Sequence, residues 1–132
     1  MATEIEGVSE KGIRRVYRNL CHMAWCDGDV APAERRVLES LQERFGLRTD
    51  EAVSLELQGR ASEALGIGKG APELALFVSG MLDMAIADGV LATDEQARLI
   101  KMAKALKISE KTLLDRFREK VRARGLSMQI ES

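Results

Sequence analysis

The sequence predicts an all-α fold, a single compact domain of about six or seven helices. Three observations predict it. Apolar residues recur at helical spacing along most of the chain, no stretch alternates as a half-buried strand would, and a helix–acidic loop–helix pattern occurs twice, 61 residues apart. Aligned from Met23 and Met84, seven of the first sixteen positions are identical, including Asp27 with Asp88, Gly28 with Gly89 and Glu34 with Glu95. Two amphipathic helices would share an apolar pattern, but packing does not require a common Asp-Gly with a Glu beyond it. The chain therefore reads as two pseudo-symmetric repeats, about 10–58 and 72–122, joined by a connector at about 59–71.

In chain order, Ser9 is a candidate N-cap with Glu10 in the first turn, and Ile13, Val16, Tyr17, Leu20 and Ala24 recur at helical spacing to about Cys26. Gly28 suits the left-handed residue after a helix end, and Pro32 the first turn of the next helix. That second helix places Val37, Leu38, Leu41 and Phe45 on one stripe and stops at Gly46-Leu47. Thr49-Asp50-Glu51 opens a third helix with Val53 and Leu57 expected inward. Gly59 is expected to break it before a short helix near 61–65.

The connector Gly66-Ile67-Gly68-Lys69-Gly70 lacks the Gly-Lys-Ser/Thr ending of a phosphate-binding loop and a strand before it. Pro72 and Glu73 then start the most apolar helix, with Leu74, Phe77, Val78, Met81, Met84 and Ala85 mostly buried. Thr93-Asp94-Glu95-Gln96 reads as a capping box for the next helix. Ser109 caps the last one, on which Leu113, Leu114, Phe117 and Val121 repeat.

Composition narrows the function. A chain of 132 residues, 45% hydrophobic and 31% charged, has the profile of a soluble globular domain. Glu4 and Glu6 stand where a secretory leader would be basic, and the longest apolar run carries Asp83 and is too short for a bilayer. No transmembrane segment is expected. Cys21 and Cys26, five apart on one helix, point away from each other, so no intrachain disulfide is expected and the cytoplasm is the expected location. Residues 1–97 hold ten Lys/Arg against seventeen Asp/Glu, whereas residues 98–124 hold ten against three. This dipole favours oriented docking to a protein partner, and a homodimer is left open. The basic segment has one aromatic residue, Phe117, and no base-reading pattern, so nucleic acid is not the expected partner.

Each loop carries an Asp at the end of one helix and a Glu seven residues later at the start of the next. Dipole complementation and turn chemistry account for such residues singly. They recur as pairs, however, and the N-cap positions before each Glu are Ala31 and Ala92, which have no side-chain oxygen. A hard divalent cation takes several oxygen ligands, so Asp27, Glu34, Asp88 and Glu95 are candidate ligands, with Asp29 and Asp94 nearby. Ca, Mg or Mn suits such a set better than Zn. The spacing matches the second half of an EF-hand loop, but Met23, Trp25, Met84 and Ile86 occupy the upstream ligand positions and exclude a true EF-hand. His22, four residues before Cys26, offers a softer alternative site. With no Ser/His/Asp or Cys/His set and no cofactor fingerprint, an enzyme is not expected.

The two stretches MAWCDGDVAPAERRVL and AIADGVLATDEQARL, with their separation, resemble the TerB-like family of tellurite-resistance proteins and the related N-terminal domains of membrane-anchored J-domain co-chaperones. The resemblance covers most of residues 10–122. It implies a multi-helix domain with a metal-associated acidic site, tied to tellurite or other stress responses, and carries over to Asp27, Glu34, Asp88 and Glu95. Ala31 and Ala92 depart from the Ser or Thr common in such sequences, and Val90 stands where repeat one has Asp29. No J-domain signature accompanies it. The competing expectation is a metal-independent scaffold that docks a partner through its basic C-terminal helices.

Overall fold

The computed structural model describes residues 7–25, 28–62, 71–87, 90–91, 93–123 and 129–130. Among them are six helices, α1 (Glu10–Ala24), α2 (Pro32–Arg44), α3 (Thr49–Ala61), α4 (Ala71–Ile86), α5 (Thr93–Ala105) and α6 (Glu110–Ala123). The fold is all-α. Two two-residue strands, β1 (Val90–Leu91) and β2 (Gln129–Ile130), pair in parallel, a length too short to leave an alternating pattern in sequence. No helix of the described residues is long and apolar enough to cross a membrane.

The helix schedule itself repeats. Helices α4, α5 and α6 begin 61 residues after α1, α2 and α3, and end 61 or 62 residues after them. Local chemistry accounts for the starts and stops. The Ser9 hydroxyl accepts from the Gly12 N–H at 3.2 Å to cap α1. At α6, Ser109 Oγ accepts from the Thr112 N–H at 3.1 Å. Helix α5 takes Thr93 as its first helical residue rather than as its cap.

Helices α2 and α5 end in the same Schellman geometry. Leu47 N–H reaches the Gln42 carbonyl at 3.0 Å and Gly46 N–H the Glu43 carbonyl at 3.1 Å; at the 61-residue offset, Ile108 reaches Ala103 at 2.8 Å and Lys107 reaches Lys104 at 3.2 Å. The left-handed position is Gly46, φ +68°, in the first and Lys107, φ +60°, in the second. A side chain there costs about 1–2 kcal/mol, partly offset by the greater freedom glycine has when unfolded. Lys107→Gly is therefore expected to raise unfolding stability by about 0.5–1 kcal/mol in denaturant melts, and Gly46→Ala to lower it by a similar amount.

The chain separates into two units, Met1–Met84 and Ala85–Ser132. In the first, α1 is the central element. It packs most extensively on α3 and also against α2, and Ile13, Val16 and Leu20 are fully buried with Leu38, Phe77 and Leu82. Arg15 reaches across to α4 with two hydrogen bonds to Glu73, at 2.8 and 2.7 Å, and the buried Glu73 carboxylate is thereby matched by a charge partner. Arg14 binds Glu51 at 3.0 and 3.2 Å and so ties α1 to the first turn of α3. In the second unit α5 packs on α6, and Leu99, Ala103, Leu113 and Phe117 are buried.

Helix α3 differs from its expected reading in two ways. Val53 and Leu57 are 55% and 60% exposed, whereas Ala52, Leu55 and Gly59 face inward. Gly59 does not break the helix, which runs on to Ala61. A Cβ at Gly59 would lie 2.4 Å from the Arg18 carbonyl oxygen and 3.0 Å from the His22 nitrogen, so the missing side chain lets α3 lie directly on the α1 backbone. Close approach at Gly59 sets the rotation of α3 and turns Val53 and Leu57 outward. On α6, Leu114 is likewise 40% exposed rather than inward. The short helix expected near 61–65 falls largely outside the described residues.

Candidate functional site

The first acidic joint runs from the end of α1 to the start of α2. Trp25 closes α1, its N–H bonded to the Cys21 carbonyl at 3.0 Å, and Gly28 follows with φ +84° and its N–H on the Trp25 carbonyl at 2.8 Å. Asp29 accepts from the Val30 N–H at 2.8 Å. Glu34 Oε1 accepts from the Ala31 N–H at 3.2 Å. Ala31 has no oxygen to return the bond, so Glu34 supplies the only side-chain half of this cap and places its charge at the positive end of α2. The same device recurs at α3, where Glu51 accepts from the Arg48 N–H at 3.2 Å.

Beneath this joint lies a polar cluster that the sequence reading missed. Glu56 on α3 receives two hydrogen bonds from the Arg35 guanidinium, on α2, one of them at 2.8 Å, and a third from the Trp25 indole N–H at 3.0 Å. The Arg60 guanidinium lies 4.3 Å over the Trp25 ring. Trp25 closes α1 and Arg35 immediately follows Glu34, so Glu56 holds both flanks of the joint to α3. The Arg35 hydrogen bonds, helped by the Trp25 N–H, hold the Glu56 carboxyl below its ordinary pKa against the opposing effect of burial. Nearby Tyr17 and Cys21 are desolvated; burial raises the tyrosine and pushes the Cys21 thiol up to about 12.

His22 is half-buried, with Nδ1 3.2 Å from the Gly59 carbonyl. Because that oxygen only accepts, Nδ1 carries the proton and the ring is committed to bridging α1 and α3 through that atom. Asp27, Asp88 and Cys26 lie outside the described residues, as do the side chains of Asp94 and Glu95, whose backbones form the first turn of α5. Of the expected ligands, Glu34, Asp29 and His22 are thus the ones placed, each with a protein hydrogen-bond partner. Among the described residues, no three His, Cys, Asp or Glu side chains gather as a metal site.

The residues aligned with the polar cluster in the second half of the chain are different. At the 61-residue offset, Glu56 becomes Phe117, Trp25 becomes Ile86 and Arg35 becomes Gln96. Phe117 and Ile86 are 3% and 2% exposed. One signal could have exposed Glu56 in the sequence: a charged residue aligned with an aromatic one that is plainly a core position. Comparison with protein-family models, with curated proteins and with solved structures found no match.

Proposed function

We propose that this chain is a non-catalytic accessory module of the TerB-like kind, binding divalent cations at its acidic joints and acting in tellurite or another stress response. One observation carries the reading: an Asp-Gly…Glu joint recurs at the 61-residue offset that also separates the starts of all three helix pairs. In this reading the repeats are related by pseudo-symmetry, and Asp27, Glu34, Asp88 and Glu95 are the ligands, with Asp29 and Asp94 beside them. Ca, Mg or Mn is the ion class, since the donors are hard oxygens. Glu34 already caps α2. Its second role would be to share that carboxylate between the helix amides and the ion, as anions at helix starts readily do.

Calorimetric titration of chelator-treated protein with Ca²⁺, Mg²⁺, Mn²⁺ and Zn²⁺ tests this. Binding of one of the first three is expected, weakened at least about tenfold by Asp27→Asn and by Asp88→Asn, roughly the cost of one lost charged ligand. Silence with every metal at millimolar concentration removes the reading. Preferential Zn²⁺ binding lost in His22→Ala would transfer the site to the softer donors. A metal-independent docking role is the second reading, favoured by Leu114, exposed on a helix rich in Lys and Arg.

A further inference from the structure

Helix α6 presents a stripe that its own unit does not use. At 100° per residue, Lys111, Leu114, Arg118, Val121 and Arg122 share one face of the helix, opposite the buried Leu113–Phe117 side only in part and turned mainly to solvent. Leu114 is exposed, Val121 is half-buried, and Lys111, Arg118 and Arg122 are exposed with no ion pair among the described residues. Lys107 adds a further exposed cation just before the helix. The result is an apolar centre with a basic rim, inside a segment that holds ten Lys/Arg against three Asp/Glu.

We infer that this α6 stripe docks an acidic amphipathic helix of a partner protein, with a partner leucine or similar side chain on Leu114 and carboxylates on Lys111, Arg118 and Arg122. Charge complementarity selects the occupant: a rim of exposed cations around an apolar centre matches a helix whose apolar anchor is flanked by Glu or Asp. Nucleic acid fits less well, because the only aromatic residue of α6, Phe117, is buried and unable to stack on a base. A membrane surface fits less well too, because a single exposed leucine supplies little area to insert. The inference does not depend on cation binding by the acidic joints.

The test uses the full chain in chelator, so that its outcome is separate from that of the cation titration. The probe is a fluorescein-labelled helical peptide with leucines at heptad spacing flanked by glutamates, followed by anisotropy. Saturable binding that weakens with added salt is expected, about tenfold weaker for Leu114→Ser and several-fold weaker for Arg118→Gln. Both positions are exposed, and circular dichroism confirms that each variant is folded; Arg118→Gln carries the test alone if Leu114→Ser does not fold. Absence of saturable binding, or equal binding by both variants, overturns the inference. Tighter binding of duplex DNA or of phosphatidylserine vesicles than of the peptide overturns it in favour of those ligands. Sedimentation showing self-association that Leu114→Ser abolishes overturns it in favour of a second copy of the chain.

Discussion

Gly59→Ala is expected to lower unfolding stability by about 2 kcal/mol, although alanine is the better helix former by about 1 kcal/mol. The added methyl would meet the Arg18 carbonyl oxygen at 2.4 Å and the His22 nitrogen at 3.0 Å, both backbone atoms of α1. Neither can rotate away, so the helices must separate, and the most extensive helix contact in the first unit loosens with them. Gly80→Ala provides the control. Its methyl would also be tight, 2.6 Å from Leu20 Cδ1, but that atom is the end of a side chain that can change rotamer. Its cost is expected to stay within about 1 kcal/mol, since propensity offsets part of the repacking. Urea melts of the two variants decide it; equal losses would show that backbone contact at Gly59 is not what limits the approach of α3.

Glu56→Ala is expected to cost about 2–3 kcal/mol, between the values for exposed and fully buried ion pairs, because Arg35 is left without its carboxylate and the Trp25 N–H without an acceptor. The effect should depend on pH in a defined direction. Glu56 is held below its ordinary pKa in the folded protein, so its contribution is complete above the unfolded value near ~4.3 and disappears as pH falls through the lower folded value. Glu51 is depressed too, by the Arg48 N–H and Arg14, and adds a similar acid dependence to the parent protein. The difference between parent and Glu56→Ala isolates Glu56. It should be constant near neutrality and shrink in acid. Trp25 is the only tryptophan, so its emission should shift to the red in the variant as the indole loses its anchor. An unchanged spectrum with unchanged stability would remove Glu56 from the loop's support.

The fold was readable where local chemistry and periodicity agreed. Ser9, Pro32, Gly46 and Ser109 mark real helix boundaries because each satisfies or relieves a backbone group at that place, whereas α1 ends at Ala24, short of Gly28, which takes the expected left-handed φ of +84° beyond the Trp25 cap. Helix α3 was misread because its apolar residues are sparse and its facing is set by Gly59, whose role is visible only once α1 lies beside it. Counting hydrophobic residues pointed to Val53 and Leu57, but they are exposed. Alignment of the repeats contained the correction: Leu57 pairs with Arg118, and Glu56 with Phe117. At the candidate site, the sequence isolated Glu34 and its joint but could not show that its carboxylate closes the α2 cap, nor that an ion pair between the next residue, Arg35, and Glu56 on α3 anchors the loop. The cap is a local bond spanning three residues, one of several roles the sequence left open for Glu34; the ion pair depends on tertiary hydrogen bonds between residues with no sequence spacing in common.

At the 61-residue offset Glu56 aligns with buried Phe117, and the two positions have different physical weaknesses. A support made of charge-assisted hydrogen bonds is directional and yields to acid and, where solvent reaches it, to salt. A position filled by a buried aromatic ring is indifferent to both and weakens instead on cooling and in urea. What Glu56 contributes beside the first joint should therefore fall away in strong acid, whereas what burial of Phe117 contributes to α6 should fade on cooling.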